Sequence, residues 1–200
     1  FLNKIALTSW SGLMIAGYAQ AGMALEEPKY VKEAERAARF VLKHQMTPEG
    51  RLLRTYGAAP GQAPRAAVNG YLEDYTALAH GLLTLHEATK DRQWLDAARK
   101  LTDVMLQFHG DAKAGGFYYT AHDHEKFFAR SKDQYAGVRA PGNSQAVRNL
   151  VRLARLTGDA RYDKEAERTL KFFAGSMRNH GPGLVTMAQA LDLWLEKRSP

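Results

Sequence analysis

Asp159-Ala160-Arg161-Tyr162-Asp163-Lys164-Glu165-Ala166 decides the fold, because two earlier stretches repeat it in the same phase. They are Glu27-Pro28-Lys29-Tyr30-Val31-Lys32-Glu33-Ala34 and Asp91-Arg92-Gln93-Trp94-Leu95-Asp96-Ala97-Ala98, and the three align without gaps. The aromatic of each (Tyr30, Trp94, Tyr162) is followed four positions on by alanine and ten positions on by Phe40, Val104 or Phe172. A period of 64 to 68 residues between the aromatics fits two helices and a substantial loop.

Each repeated stretch opens an outer helix. Asp91 and Asp159 supply acceptors for free amides, and Pro28 suits a first helical position. In the first unit Tyr30, Val31, Ala34, Ala37, Ala38 and Val41 form one apolar stripe, with Lys32, Glu33, Arg36, Arg39 and Lys43 on the other side. Upstream, residues 12–25 and 76–88 are apolar almost all round, which predicts inner helices buried on every side. The third inner helix, 143–157, carries Arg148, Arg152 and Arg155 on one stripe and is expected at an open edge. A last helix, 184–196, would turn Leu184, Val185, Ala188, Leu191 and Leu195 to one face, as an inner helix without its outer partner. The fold class is therefore all-α: hairpins at about 8–45, 72–109 and 142–179 and a final helix, one domain over 1–200, forming part of an α/α toroid.

Loop lengths locate the functional end. Inner and outer helices meet through tight turns such as Leu156-Thr157-Gly158-Asp159, where Gly158 can end a helix. Outer helices lead onward through the long segments 46–71 and 110–141. With alternating helix directions these segments all fall at one end, where the inner-helix N-termini bring partial positive charge. Gly116–Thr120 and Lys126–Arg130, flanking Ala121–Glu125, read as a β-hairpin, and Arg51–Tyr56 as a further strand. Counting back twenty residues from the aromatics gives Trp10, Asp74 and Gly142, expected around one mouth.

The candidate chemistry lies at those helix starts. Glu73 and Asp74 are adjacent carboxylates, suited to capping or to acid/base work. His122-Asp123-His124 could bring two imidazoles together, but no third or fourth ligand is evident and a solvated turn is the preferred reading; no metal is expected. Arg130 to Ser144 gathers Arg130, Lys132, Asp133, Tyr135, Arg139, Asn143 and Ser144 before an inner-helix start, a set suited to a polyhydroxylated or anionic ligand, with loop stabilisation as the rival. Trp10, Tyr75 and Tyr118 could stack on a sugar ring. The candidate catalytic carboxylates are Glu73, Asp74, Asp123 and Asp133, of which a hydrolase would need two at roughly 5–10 Å. No Gly-rich phosphate loop or nucleophilic triad is present, and no cofactor is expected.

Composition narrows the classes. Forty-five per cent hydrophobic residues in a 200-residue chain suit a real core. The net charge of +7 is spread over mixed-sign runs such as Lys164-Glu165-Ala166-Glu167-Arg168, so nucleic acid is not expected as a partner. There is no cysteine, which excludes disulfides and thiolate chemistry and makes a reducing, cytoplasmic setting the default expectation. Residues 12–25 fall short of the roughly 18 apolar residues of a membrane span, so no membrane is expected either. A first residue other than Met leads to the expectation of a chain processed or trimmed from something longer.

Leu7-Thr8-Ser9-Trp10-Ser11-Gly12-Leu13-Met14-Ile15, Gly70-Tyr71-Leu72-Glu73-Asp74-Tyr75, Gly115-Gly116-Phe117-Tyr118 with Thr120, and Arg130 to Ser144 together resemble the thioredoxin-domain-containing family related to spermatogenesis-associated protein 20. The resemblance implies the C-terminal part of a six-hairpin, glycosidase-like (α/α)6 barrel, a fold shared with sugar epimerases and glycosidases. It carries no thioredoxin-like part into this chain. Ser11, Ala136 and Pro141 depart from the family, which has Asn, an acidic residue and Ser there. The expected function is a carbohydrate-related domain binding a sugar-like ligand at the long-loop end, with hydrolase- or epimerase-type acid/base chemistry. The alternative is a non-catalytic scaffold or interaction module. Three and a half hairpins do not close a ring of six, so a homodimer or a missing N-terminal barrel half is expected to cover the apolar edges.

Overall fold

A computed structural model describes residues 4–58, 61–125, 128–135, 137 and 139–196. In chain order these form β1 (Ala6–Leu7), α1 (Thr8–Ala24), α2 (Pro28–His44), β2 (Leu53–Gly57), β3 (Arg65–Asn69), α3 (Leu72–Thr89), α4 (Arg92–His109), α5 (Gly142–Thr157), α6 (Ala160–Asn179), a 3₁₀ turn (Gly181–Leu184) and α7 (Val185–Glu196). The chain divides into two compact units, Phe1–Val104 and Met105–Pro200, with the division inside α4.

The three hairpins begin and turn as the repeat requires. Pro28 opens α2, Asp91 Oδ1 accepts from the Gln93 amide at 3.0 Å, and Asp159 Oδ1 accepts from the Arg161 amide at 3.0 Å. Four residues before each repeat aromatic the backbone is left-handed: φ is 55° at Glu26, 58° at Lys90 and 71° at Gly158. The repeat thus fixes the backbone of the turn as well as the apolar stripe, and only the third copy uses the residue that suits it best.

In the first unit α1 packs on both α2 and α3. Its contact with α3 is backbone-close: a Cβ on Gly12 would lie 2.5 Å from the Ala77 carbonyl carbon, and one on Gly81 would lie 2.5 Å from the Gly12 oxygen. Ala34, Ala38 and Val41 of α2 are buried, as are Trp94, Ala98 and Leu101 of α4. The β2–β3 hairpin lies ahead of α3, and β1 pairs antiparallel with β2 (Ala6 opposite Tyr56), giving the order β1-β2-β3. The strand expected at Arg51–Tyr56 is therefore present.

In the second unit α5 packs on α6 and α7. Tyr162, Ala166, Leu170 and Phe173 of α6 are buried, together with Ala146, Val147, Leu150 and Val151 of α5.

Four expectations need correction. α3 is buried over most of its surface, but α1 is not: Trp10, Leu13, Met14 and Tyr18 are exposed, because apolar composition does not guarantee a neighbour on each side. α5 is not an open-edge helix; eleven of its residues are buried, and Arg148 and Arg152 are half-buried. In the last helix the buried residues are Leu184, Met187 and Ala190, while Val185, Ala188 and Leu195 are exposed, a rotation of the expected face. No hairpin forms around His122–His124 among the described residues: Phe117 makes an isolated bridge to Gly110 and the Tyr119 amide bonds to the Ser131 oxygen at 2.8 Å. Lys126 and Phe127 lie outside the described residues.

Candidate functional site at the inner-helix starts

In the first unit the starts of α1 and α3 meet at the β2–β3 hairpin. Asp74 is fully buried and accepts the Tyr71 amide at 2.9 Å and the Ser9 amide of α1 at 3.0 Å, so one carboxylate serves two helix starts. Arg54 of β2 donates to Asp74 Oδ2 at 3.2 Å and to Glu73 Oε1 at 2.7 Å, with its guanidinium 5.0 Å from the Tyr71 ring centroid. Burial pushes the Asp74 carboxyl up, opposed by the Tyr71 amide and by Arg54. Glu73 stands at the margin of this group, its side chain 13% exposed. Thr8 ties the same end together, donating to the Leu53 oxygen at 2.6 Å and accepting from Gln45 at 2.7 Å.

Trp10 lies exposed at the α1 start. Tyr75 is buried, and its hydroxyl accepts from the Leu52 amide at 3.0 Å and from Arg51 at 3.3 Å, anchoring the chain ahead of β2.

In the second unit the long segment folds against the start of α5. Asp133 accepts the Gly142 amide at 2.7 Å and the Asn143 side-chain amide at 3.0 Å. Asn143 is buried, accepting from the Phe117 amide at 2.8 Å and donating to its oxygen at 2.9 Å. Ser144 is buried and receives the Thr186 hydroxyl at 3.2 Å.

Beside this anchor, Lys132 donates to Asp111 at 2.9 Å and to the Gly115 oxygen at 2.6 Å, with its ammonium 3.8 Å from the Phe172 ring centroid. Tyr118 donates to the same Asp111 oxygen at 2.9 Å, and the Arg130 guanidinium lies 4.1 Å from the Tyr118 ring centroid. Lys132, more than any other neighbour, holds the Asp111 carboxyl well below the usual carboxylate range, with the Ala114 amide and the Tyr118 hydroxyl adding to it. Such a depressed group contributes stability that is complete above the ordinary carboxylate value of about 4 and is lost as pH falls below it. Asp111→Asn is therefore expected to cost about 2 kcal/mol at neutral pH and much less near pH 2, read from urea unfolding at the two pH values.

Tyr135 and Arg139 are exposed, Tyr135 lying edge-on to His180 with ring centroids 6.5 Å apart. Asp123 is exposed in its turn. His122 stacks on Phe108 while His124 lies edge-on to His109, so the two imidazoles face different neighbours. Ala136 lies outside the described residues. Of the four candidate carboxylates, Asp74 and Asp133 hold helix-start amides, Glu73 is paired with Arg54, and Asp123 is exposed.

Sequence reasoning missed Arg54 and Asp111, which organise the two clusters. Arg54 sits on a strand where a single arginine carries no signal, and Asp111 follows α4 in what reads as an ordinary turn. A cleft of about 410 Å³ lined by Leu106, Gly110, Asp111, Lys164 and Arg168 was equally invisible.

Residues 13–186 match the N-acylglucosamine 2-epimerase (GlcNAc 2-epimerase) family. Spermatogenesis-associated protein 20 of Rattus norvegicus is 34% identical over 96% of this chain, and that of Homo sapiens is 32% identical over the same share. The chain spans 25% of the length of both relatives. Among solved structures, a GH76 α-mannanase of Bacteroides thetaiotaomicron is similar with a TM-score of 0.74 at 15% identity, over 98% of this chain and 54% of that one. The cellobiose 2-epimerase of Spirochaeta thermophila is similar with a TM-score of 0.65 at 17% identity, over 84% of this chain and 43% of that one. These neighbours place the fold in the (α/α)6-toroid class. No helix among the described residues is long and apolar enough to cross a membrane.

Proposed function

The chain belongs to the N-acylglucosamine 2-epimerase family, and from that premise we propose that this carbohydrate-related domain binds a sugar-like ligand at its inner-helix starts. The observation that carries the reading is the Arg54–Glu73 pair beside Tyr71, with the exposed Trp10 opening the neighbouring helix. A guanidinium, a carboxylate and aromatic faces are the groups that a polyol binds: paired donors and acceptors for hydroxyls, and ring faces for C–H surfaces. Glu73 is the carboxylate best suited to exchange a proton with a ligand, because Asp74 and Asp133 already serve helix amides. In the second unit Arg139 and Tyr135 are exposed and would suit an anionic ligand, whereas Lys132 and Arg130 are already held by Asp111 and by the Thr120 oxygen.

A second reading, binding without catalysis, is favoured by the fixed roles of Asp74 and Asp133. Calorimetric titration with N-acetylglucosamine, mannose, cellobiose and an α-1,6-mannotriose separates the readings when paired with an epimerisation and hydrolysis assay. Turnover that falls in Glu73→Gln by much more than binding does supports the acid/base reading. Binding without turnover leaves the non-catalytic one, and no binding by any of the four sugars counts against both.

A further inference from the structure

The end of α4 and the first turns of α6 line a cleft of about 410 Å³ within the second unit, a volume suited to a small molecule. Arg161, Lys164 and Arg168 line it from α6 at i, i+3 and i+7, one helical stripe, and Gln107 lines it from α4. The acceptors of the cleft are spent. Asp111 Oδ1 takes the amides of Lys113 at 2.9 Å and Ala114 at 3.0 Å, while Oδ2 takes the Tyr118 hydroxyl and Lys132, both at 2.9 Å. Those four donors fill the lone pairs of that carboxylate. Glu165 holds Arg168 through both oxygens, at 2.8 and 3.0 Å, and Arg168 also donates to the Ala112 oxygen at 2.6 Å. Two donors are still open. Lys164 and Gln107 are exposed, and among the described residues neither has a hydrogen-bond or ion-pair partner. Asp159 pairs with Arg161 at 2.8 Å. With Asp159 and Lys132 counted beside the lining, four positive groups stand against three negative ones, and the unbalanced charge is that of Lys164.

We propose that this cleft binds the phosphate group of a small phosphomonoester, with the Lys164 ammonium and the Gln107 carboxamide as donors. A phosphate brings acceptor oxygens to a lining whose open groups are donors, and it brings the negative charge that Lys164 lacks. A neutral polyol would need acceptors as well, and the saturated Asp111 offers none. The two carboxylates of the cleft do not repel the anion in full, because Lys132 neutralises Asp111 and Arg168 neutralises Glu165. Arg161 and Arg168 add positive potential from the same stripe, and the bonds from Arg168 to Glu165 and Ala112 fix its place in the wall. Leu106 and the aliphatic stems of the three cations leave apolar surface for the organic part of the ligand. None of these residues belongs to the proposed sugar site at Trp10, Arg54, Tyr71 and Glu73, so the two sites stand independently.

Amide chemical shifts of the full chain test it, followed during titration with N-acetylglucosamine 6-phosphate, inorganic phosphate, glucuronate and unphosphorylated N-acetylglucosamine. The expected result is saturable shifts at 106–112 and 161–168 with the phosphomonoester, with inorganic phosphate competing for the same signals. Glucuronate should bind there more weakly, and N-acetylglucosamine should leave those signals unmoved. The dissociation constant of the phosphomonoester should rise roughly tenfold in Lys164→Gln, the loss of one charge-assisted bond. Lys164 is exposed, so the helical circular dichroism should not change. Lys43→Gln on α2 removes the same charge from another exposed position and should leave the affinity within about twofold. Failure of the phosphomonoester to saturate overturns the proposal, as do shifts confined to other residues or inorganic phosphate that does not compete. An affinity indifferent to Lys164→Gln, or weakened equally by Lys43→Gln, overturns it too, and glucuronate binding as tightly would exclude phosphate as the recognised group.

Discussion

Gly12→Ala is expected to destabilise the first unit by about 3 kcal/mol, and Gly81→Ala by a similar amount. A methyl at position 12 would stand 2.5 Å from the Ala77 carbonyl carbon and from the Leu78 amide nitrogen, and one at position 81 would stand 2.5 Å from the Gly12 oxygen. These are backbone atoms of packed helices, and no side-chain rotation relieves them. The helices must part, and the neighbouring Ile15, Leu78 and Leu82 lose their close packing with them. Alanine's better helix propensity returns only about 1 kcal/mol. Gly175 of α6 is the control: nothing lies within 4 Å of its added methyl, so Gly175→Ala should stabilise by roughly 0.5–1 kcal/mol. Opposite signs for the same chemical change, read from urea midpoints, are the result that identifies the α1–α3 contact as a backbone contact. A neutral Gly12→Ala would show that the helices can separate at little cost.

The other large effect belongs to Arg54. Its guanidinium is the charged partner of both Glu73 and the fully buried Asp74, and removing it leaves a carboxylate inside the fold with amide donors alone. Arg54→Ala is therefore expected to cost about 3 kcal/mol at neutral pH. The pH dependence gives a sharper test than the magnitude. Burial already raises the Asp74 carboxyl, and loss of Arg54 raises it further. A raised carboxylate binds its proton more tightly folded than unfolded, so stability falls as pH rises from the ordinary value near 4 through the folded one. The deficit of the variant should accordingly shrink on acidification, and should do so at higher pH than the deficit of Asp111→Asn, because the Asp74 carboxyl is raised whereas that of Asp111 is lowered. A deficit that stays constant between pH 7 and pH 4 would mean that Arg54 acts through packing of its stem alone.

The repeat was legible because it is periodic. Tyr30, Trp94 and Tyr162 with their alanines fixed the hairpins and helix order, and the spacing located the inner-helix starts at Thr8, Leu72 and Gly142 closely. What the sequence concealed is which apolar faces find a neighbour. Residues 12–25 and 76–88 read alike, yet α1 leaves Leu13 and Met14 exposed while α3 is covered, a difference set by what surrounds each helix. The arginines of α5 pointed to an edge, but Arg148 and Arg152 are half-buried beside a covered helix, as long charged stems allow. Among the candidate site residues, the pairing of charges was the hidden part. Asp74 and Asp133 read equally well as acids or caps until their amide partners at Ser9, Tyr71 and Gly142 were visible. Tyr75 read as a stacking surface, whereas its hydroxyl is turned to the Leu52 amide.

Ligand binding at the inner-helix starts is tested most directly by following backbone amide and Trp10 indole resonances of the full chain during titration with N-acetylglucosamine and α-1,6-mannotriose. The account predicts saturable shifts concentrated on Trp10, Arg54, Tyr71 and Glu73 for at least one sugar, weakened in Glu73→Gln while that variant keeps its fold. Saturable shifts that map elsewhere, or that persist unchanged in Glu73→Gln, would contradict it.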